Sequence, residues 1–536
     1  MYNRRNFLKK IAATGTTLSV LNGLPLRSLG RMENVLSNQT DRILVMIQLY
    51  GGNDGLNTIV PLDQYDQYHN LRPNLALPEK GKRQLLKLNA NVGLHPDMSG
   101  FRDLYDRGEL AVVQGVGYDN FNQSHFRSTN IWLSGSDSSE HLNSGWTGRY
   151  LDHEYSGYFG SNAARYPDPP GLEIGNSLSL AFHTAKGTPI ATAVQDPSRF
   201  YEMVTKSGGN LDGQQFSNNT YGQLLQMMTN LELKADKQAE RIRKVYESGR
   251  NTVSYPDQYP YFAPSRYLHN PLSEQLKTIA KLISGGSRTK VYLAKMGGFD
   301  THKRQVEIGD PTFGAHACLL YHLSSAVKSF QDDLRKQGLS ERVVTMTFSE
   351  FGRRAKAGYD GTDHGKAAPL FVIGKPVKAG IIGEDPDLFD LDNGNLKHEI
   401  DYRQVYTTIL DDWLNASDQA INEVRLNSFV DRKLDLFSDL APKPVKDFTA
   451  PVALVKPVYP NPTTDYIYFS IKKRSQSYTS IHLYNSRGET VGLPYNGPMQ
   501  SGEHLIKASV DKYYAGIMYY KIQAEGHKIT GSFIKK

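Results

Sequence analysis

Five short runs of almost unbroken apolar residues set the tightest limit on how this chain of 536 residues can fold. They lie at 42–49, 110–114, 290–294, 343–348 and 370–373. Runs with so little polar alternation suit strands buried on both faces, and such strands need helices packed above and below them. Apolar residues at helical spacing supply those layers at 221–248, 272–283, 315–337 and 402–414. Strands alternating with helices predict an α/β fold over residues 40–440, with a mainly parallel central sheet flanked by helices.

In sheets of this kind ligands sit beyond the carboxyl ends of the strands, and the distinctive polar residues fall there. The run at 42–49 leads into Gly51-Gly52-Asn53-Asp54-Gly55, and the run at 290–294 into Gly297-Gly298-Phe299-Asp300-Thr301-His302. The run at 343–348 leads into Ser349-Glu350-Phe351-Gly352-Arg353-Arg354, and Asp363-His364-Gly365 stands just before the last run. Asp54, Asp300, His302, Glu350 and His364 are therefore the candidate metal ligands. Three carboxylates and two imidazoles gathered in one crevice repel one another unless a cation joins them. One or two divalent ions (zinc, calcium or magnesium) fit that chemistry. Any single Asp after a strand serves equally well as a helix cap or an Asx turn. It is the coincidence of four such segments that points to a site.

A nucleophile is expected from the segment after 110–114, which leads through 115–123 to Ser124-His125-Phe126-Arg127. Ser124 is placed to cap the next helix, where free N–H groups favour an anion. A hydroxyl there, beside a metal, can be ionised and attack phosphorus or sulfur; a plain N-cap is the other reading, and Ser128 or Thr129 could take its place. His125 is expected to assist, or to bind oxyanions with Arg127. Arg127, Arg353 and Arg354 are the candidate anion binders.

The net charge of +7 belongs to the two ends, because residues 1–31 hold six Lys or Arg and no acid, and 451–536 hold eleven basic against five acidic residues. The middle is mildly acidic, so no nucleic-acid partner is expected. Residues 1–31 read as a signal peptide, with Arg4-Arg5 and Lys9-Lys10 before a mild apolar run from Ile11 to Leu24. No later stretch is apolar for long enough to predict a transmembrane span. The lone Cys318 can form no internal disulfide. A Pro-rich linker is expected at 441–457. Beyond it, short alternating runs at 466–471, 480–484, 504–506 and 516–522 predict a small all-β sandwich domain over 458–536.

These segments carry two resemblances. The body resembles the twin-arginine-exported family of unknown function numbered 1501, in Gly51-Gly52-Asn53-Asp54-Gly55-Leu56-Asn57, Ser124-His125-Phe126, Trp146-Thr147-Gly148-Arg149-Tyr150, Gly298-Phe299-Asp300-Thr301-His302, Ser349-Glu350-Phe351-Gly352-Arg353 and Asp363-His364-Gly365. That family looks related to the alkaline-phosphatase and sulfatase superfamily. The relation implies an alkaline-phosphatase-like fold with Asp54 as the first-strand metal aspartate, Ser124 as nucleophile, and Asp300, His302 and His364 as one metal's set. The chain departs from the superfamily at Glu350-Phe351, where an Asp-His pair is usual, and is one imidazole short there. The C-terminus resembles the sorting domain of type IX secretion in Bacteroidetes, in Val458-Tyr459-Pro460-Asn461-Pro462-Thr463, Tyr484-Asn485-Ser486-Arg487-Gly488 and Gly516-Ile517-Met518-Tyr519-Tyr520-Lys521.

Together the resemblances imply the twin-arginine translocase and the type IX secretion machinery as partners. The route runs through the periplasm to the cell surface or the medium. The function implied is that of an exported metal-binding hydrolase of phosphate or sulfate esters. The alternative is a non-catalytic surface or secreted protein that keeps the fold and binds a glycan or a partner.

Overall fold

The computed structural model describes residues 41–158, 166–207, 237–438, 452–454, 458–473, 476–486, 488–524 and 527–536. The signal peptide expected at 1–31, the first part of the helix expected at 221–248, and most of the Pro-rich linker lie outside the described residues. The chain divides into two compact units, Asn38–Val445 and the segment from Lys446 to Lys536.

The first unit is built on a nine-stranded sheet. Its main strands are β1 (Ile43–Leu49), β2 (Leu110–Gly117), β3 (Gly171–Glu173), β4 (Ala191–Ala193), β5 (Val291–Met296), β6 (Val343–Phe348), β7 (Ala368–Ile373) and β8 (Gly380–Ile382). Their order is β8-β2-β7-β6-β1-β5-β3-β4, with the short strand Ile400–Asp401 also on β2. β1 runs parallel to both β5 and β6. Only β7 is reversed, antiparallel to β6 and to β2. That reversal matters for the site. It brings the N-terminal end of β7, and the segment before it, to the edge where β1, β5 and β6 deliver their C-terminal ends.

The apolar runs are explained by burial on both faces. Along β1, Leu44 and Met46 join one core with Trp132, Trp146, Tyr402 and Tyr406. Ile43, Val45 and Ile47 join the other, with Phe101, Leu276, Ile279, Leu323 and Phe330. The helices involved are α1 (Ser99–Asp106), α2 (His125–Ser134), α3 (Trp146–Glu154), α4 (Pro271–Ser284), α5 (Ala315–Lys336) and α6 (Tyr402–Thr408). Local signals set several of their starts. Asn270 caps α4 by accepting from the Leu272 and Ser273 amides, with Pro271 at the first helical position. Asp401 and Gln404 form a capping box on α6. The helix expected as one piece at 402–414 changes to a π-helical turn over Ile409–Trp413. There the buried Trp413 donates its indole N–H to the Ile43 carbonyl at 3.0 Å.

The second unit is all antiparallel β. One sheet holds Val452–Leu454, Tyr466–Lys473 and Gly502–Ser509; the other holds Thr490–Met499, Ser477–Tyr484, Gly516–Ala524 and His527–Lys535. Alternate residues, among them Phe469, Ile471, Ile481, Leu483, Met518 and Ile522, fill the space between the sheets. Strand 490–499 escaped the alternation test because Gly492, Pro494, Gly497 and Pro498 interrupt it. It lies at a sheet edge, where proline is tolerated. Among the described residues no helix is long and apolar enough to cross a membrane.

Candidate functional site

The loops after β1 and β5 pack so closely that two glycines are required. Gly51 has φ 123°, and a Cβ there would collide with the backbone of Phe299 and Asp300; Gly52 has φ 81°, and a Cβ would run into the Phe351 ring. Arg353, with a fully buried side chain, ties these loops together. Its guanidinium donates to the carbonyls of Gly51, Gly52, Phe299 and Thr362, and to Asp300 Oδ1 at 2.8 Å. Asp300 is thereby held at the mouth of the crevice with its side chain 47% exposed. Partial burial pushes its carboxyl upward, but the Arg353 hydrogen bond and charge outweigh that and bring it to about 2.

Three imidazoles converge on this one carboxylate. His302 Nε2 lies 3.1 Å and His364 Nε2 3.2 Å from Asp300 Oδ1, and His125 Nε2 lies 3.4 Å from Asp300 Oδ2. His302 and His364 approach each other Nε2 to Nε2 at 3.0 Å. The opposite nitrogen of every ring faces an acceptor that has no proton to give. His125 Nδ1 meets Glu350 Oε1 at 2.7 Å, His302 Nδ1 meets Asp363 Oδ1 at 2.9 Å, and His364 Nδ1 meets the Gln123 carbonyl at 2.9 Å. A proton on each Nδ1 satisfies these acceptors, and in neutral rings it leaves three Nε2 lone pairs aimed at a carboxylate. His125 Nε2 is buried with no hydrogen-bond partner.

Lone pairs facing lone pairs need a positive charge among them. A proton on His125 is one answer, and its hydrogen bond to Glu350 does raise that imidazole's pKa. Burial lowers His364, so that ring stays neutral and the problem persists around it. A divalent cation settles every contact at once. The Nε2 atoms of His302 and His364 stand 3.0 Å apart and 3.1 and 3.2 Å from Asp300 Oδ1, close to the edge of about 3.3 Å expected between ligands with ~2.0 Å metal–ligand bonds, while His125 approaches the other oxygen, Oδ2, at 3.4 Å. Imidazoles fixed at Nδ1 by a carboxylate or a carbonyl are the usual surroundings of ligating histidines. The residues present fit a metal, with His125, Asp300 and His364 forming a compact ligand group among the described residues.

The site residues expected from sequence fall into three placements. Asp300, His302 and His364 come together in the cluster. Glu350, fully buried, stands behind it. Its Oε1 accepts from His125 Nδ1 and from the Gly51 amide at 2.8 Å, so it orients an imidazole. Asp54 is set apart from the cluster. It is fully buried, ion-paired to Arg72 at 2.6 Å, and bonded through the same oxygen to the Gln305 amide. Burial pushes its carboxyl upward, but the Arg72 charge and hydrogen bond prevail and hold it below the usual carboxylate range. Ser124 is exposed at the N-cap position of α2, and its side chain makes no capping bond. Ser128 is buried and engaged with Tyr118 at 2.9 Å and the Asn122 carbonyl at 2.5 Å.

The arginines expected to bind anions are mostly committed elsewhere. Arg353 is saturated as described, and Arg127 donates to the Ser138 and Glu140 carbonyls at 2.8 and 2.6 Å. Arg354 is half-buried, with a guanidinium nitrogen beside Gly394. The sequence reading left His125 out of the ligand set. The signal was present in its place at a strand-end loop next to Ser124, but nothing in the sequence shows that α2 turns its first residue toward Asp300.

A strand-end His/Asp cluster on an α/β sheet, in a chain with a separate β-sandwich, defines the class of protein. Residues 41–424 match the family described as protein of unknown function (DUF1501), and the chain belongs to that family. Residues 457–536 match the secretion system C-terminal sorting domain, which marks the chain for export to the cell surface or beyond. None of the curated proteins matches the chain. Among solved structures it is similar to Ps i-CgsB in complex with k-i-k-neocarrahexaose, at 10% identity, covering 82% of this chain and 83% of that one with a TM-score of 0.33. A protein in the alkaline phosphatase superfamily from Vibrio parahaemolyticus shares 10% identity over 93% of this chain and 91% of its own, also at 0.33. The PsFucS1 sulfatase from Pseudoalteromonas sp. shares 12% identity over 89% and 86%, at 0.29. Likeness this distant assigns no chemistry.

Proposed function

We propose that this is an exported metal-dependent hydrolase acting on a phosphate or sulfate ester. One observation carries the reading: three imidazoles, each fixed at Nδ1 by a separate acceptor, aim their Nε2 atoms at Asp300. The ligands are His125, Asp300, His302 and His364. Three nitrogens and one carboxylate favour Zn²⁺ or a similar imidazole-binding ion over Ca²⁺ and Mg²⁺, which prefer oxygen. Such an ion supplies Lewis-acid polarisation of the ester oxygen.

The chain's own groups do the rest. Ser124 Oγ, uncommitted at the start of α2, attacks phosphorus or sulfur. A bond forms from Oγ to the central atom, the ester bond breaks, and the alcohol leaves; water then cleaves the serine ester and restores the hydroxyl. The free N–H groups of the first turn of α2 favour the anionic group there. Glu350 holds the His125 tautomer, and Arg353 holds Asp300. We read residues 1–31 as a twin-arginine signal, so that the protein folds and takes up metal before it crosses to the periplasm.

Elemental analysis of the folded protein, followed by a panel of phosphate and sulfate esters, tests this reading. Turnover is expected with about one equivalent of zinc, and His364→Ala should lose both. Metal bound with no turnover on any ester would favour a non-catalytic binding protein, and equal metal in wild type and His364→Ala would remove the centre altogether.

A further inference from the structure

The cluster needs a donor for the oxygens of the bound anion, and Arg353, Arg127 and Arg72 do not provide one directly. Arg353 and Arg127 spend their guanidinium groups on carbonyls and, for Arg353, on Asp300. Arg72 is buried against Asp54, the Asn57 side chain and two carbonyls. Apart from Ser124, which the reading above makes the nucleophile, the Tyr50 hydroxyl beside the cluster makes no hydrogen bond among the described residues.

Tyr50 is the residue directly after β1, and its backbone is fixed on both sides. Its N–H donates to the Met296 carbonyl at 2.9 Å, and its carbonyl accepts from the Phe299 amide at 3.2 Å. The ring lies tilted over His125, with centroids 5.6 Å apart, and the residue is 38% exposed. A rigidly seated aromatic ring with an idle donor is costly to leave unpaired where solvent is displaced.

We infer that Tyr50 donates its hydroxyl proton in a hydrogen bond to an oxygen of the tetrahedral phosphate or sulfate group bound at the cluster. The inference rests on the hydrolase reading above and adds to it the residue that recognises the anion. Tyr50→Phe keeps the ring over His125 and removes only the donor, so packing and recognition separate cleanly.

The test uses the full chain loaded with Zn²⁺, titrated calorimetrically with inorganic phosphate and with sulfate, and followed in parallel by tyrosine ultraviolet difference spectra. The wild type is expected to bind one or both anions with a tyrosine perturbation. Tyr50→Phe should keep its zinc and its unfolding midpoint, lose the perturbation, and bind roughly 10-fold more weakly, as expected for a hydrogen bond to a charged group. Unchanged affinity and an unchanged spectrum in Tyr50→Phe would overturn the assignment of Tyr50 and leave the hydrolase reading intact. A zinc-loaded wild type that binds neither anion would overturn both.

Discussion

Asp54 and Asp300 stand after strands that pair directly, β1 and β5, yet the protein treats them in opposite ways. Asp54 is sealed from solvent and neutralised by a guanidinium of the same chain, Arg72, at 2.6 Å. Asp300 lies half open, steadied from behind by Arg353 but facing three imidazole lone pairs. Both carboxylates meet a buried guanidinium, but Asp54 is enclosed around its own while Asp300 keeps a face open toward the imidazoles. An acidic residue at a strand end is thus no signature of a metal by itself. What separates the two is whether the carboxylate is sealed around its guanidinium or keeps an open face.

The largest way to break this contrast is to remove the internal cation. Arg72→Met leaves Asp54 buried without an ionic partner, bonded only to the Gln305 amide, and the chain should lose about 3–5 kcal/mol of stability by chemical denaturation. The pH dependence should also change sign. In the wild type the Asp54 carboxyl is held below its unfolded value of 3.8. Its contribution is therefore complete above pH ~4 and lost as pH falls through the lower folded value. Without Arg72, burial should outweigh the remaining Gln305 hydrogen bond and raise the folded value, so lowering the pH toward 4 should stabilise the variant. Equal stability and an unchanged acid limb would mean that the ion pair has little weight.

An intermediate effect is expected at the other carboxylate's support. Glu350→Gln keeps an oxygen for His125 Nδ1 but removes the charge behind it. Zinc affinity should fall about 10–100-fold, the range for partners that orient a ligating histidine. Asp300→Asn should fall further, because it removes a direct anionic ligand. If Glu350→Gln binds zinc as the wild type does, hydrogen-bond geometry suffices and the buried charge is dispensable.

The smallest structural effect belongs to Ser124. Its side chain caps nothing, so Ser124→Ala should change stability by less than about 0.5 kcal/mol, short of the ~1 kcal/mol of a true N-cap. Turnover should nonetheless vanish with zinc still bound. A loss near 1 kcal/mol with full activity would return Ser124 to a capping role.

Much of this architecture could be read from the chain. The runs at 42–49 and 343–348 required a sheet buried on both faces, and the alternation from 466 onward required a sandwich, because side-chain periodicity reports directly which faces avoid water. The strand-end positions of Asp300, His302 and His364 followed from the same periodicity. What periodicity does not report is direction and distance. The reversal of β7 carries His364 to the far ends of β1, β5 and β6. The burial of Arg72, the residue just after the short helix Tyr65–Leu71, decides that Asp54 already has a fixed cation. The first turn of α2 decides that His125 and not Glu350 faces Asp300. Each of these depends on how separate segments pack, and a charge finds its partner only after that packing is complete.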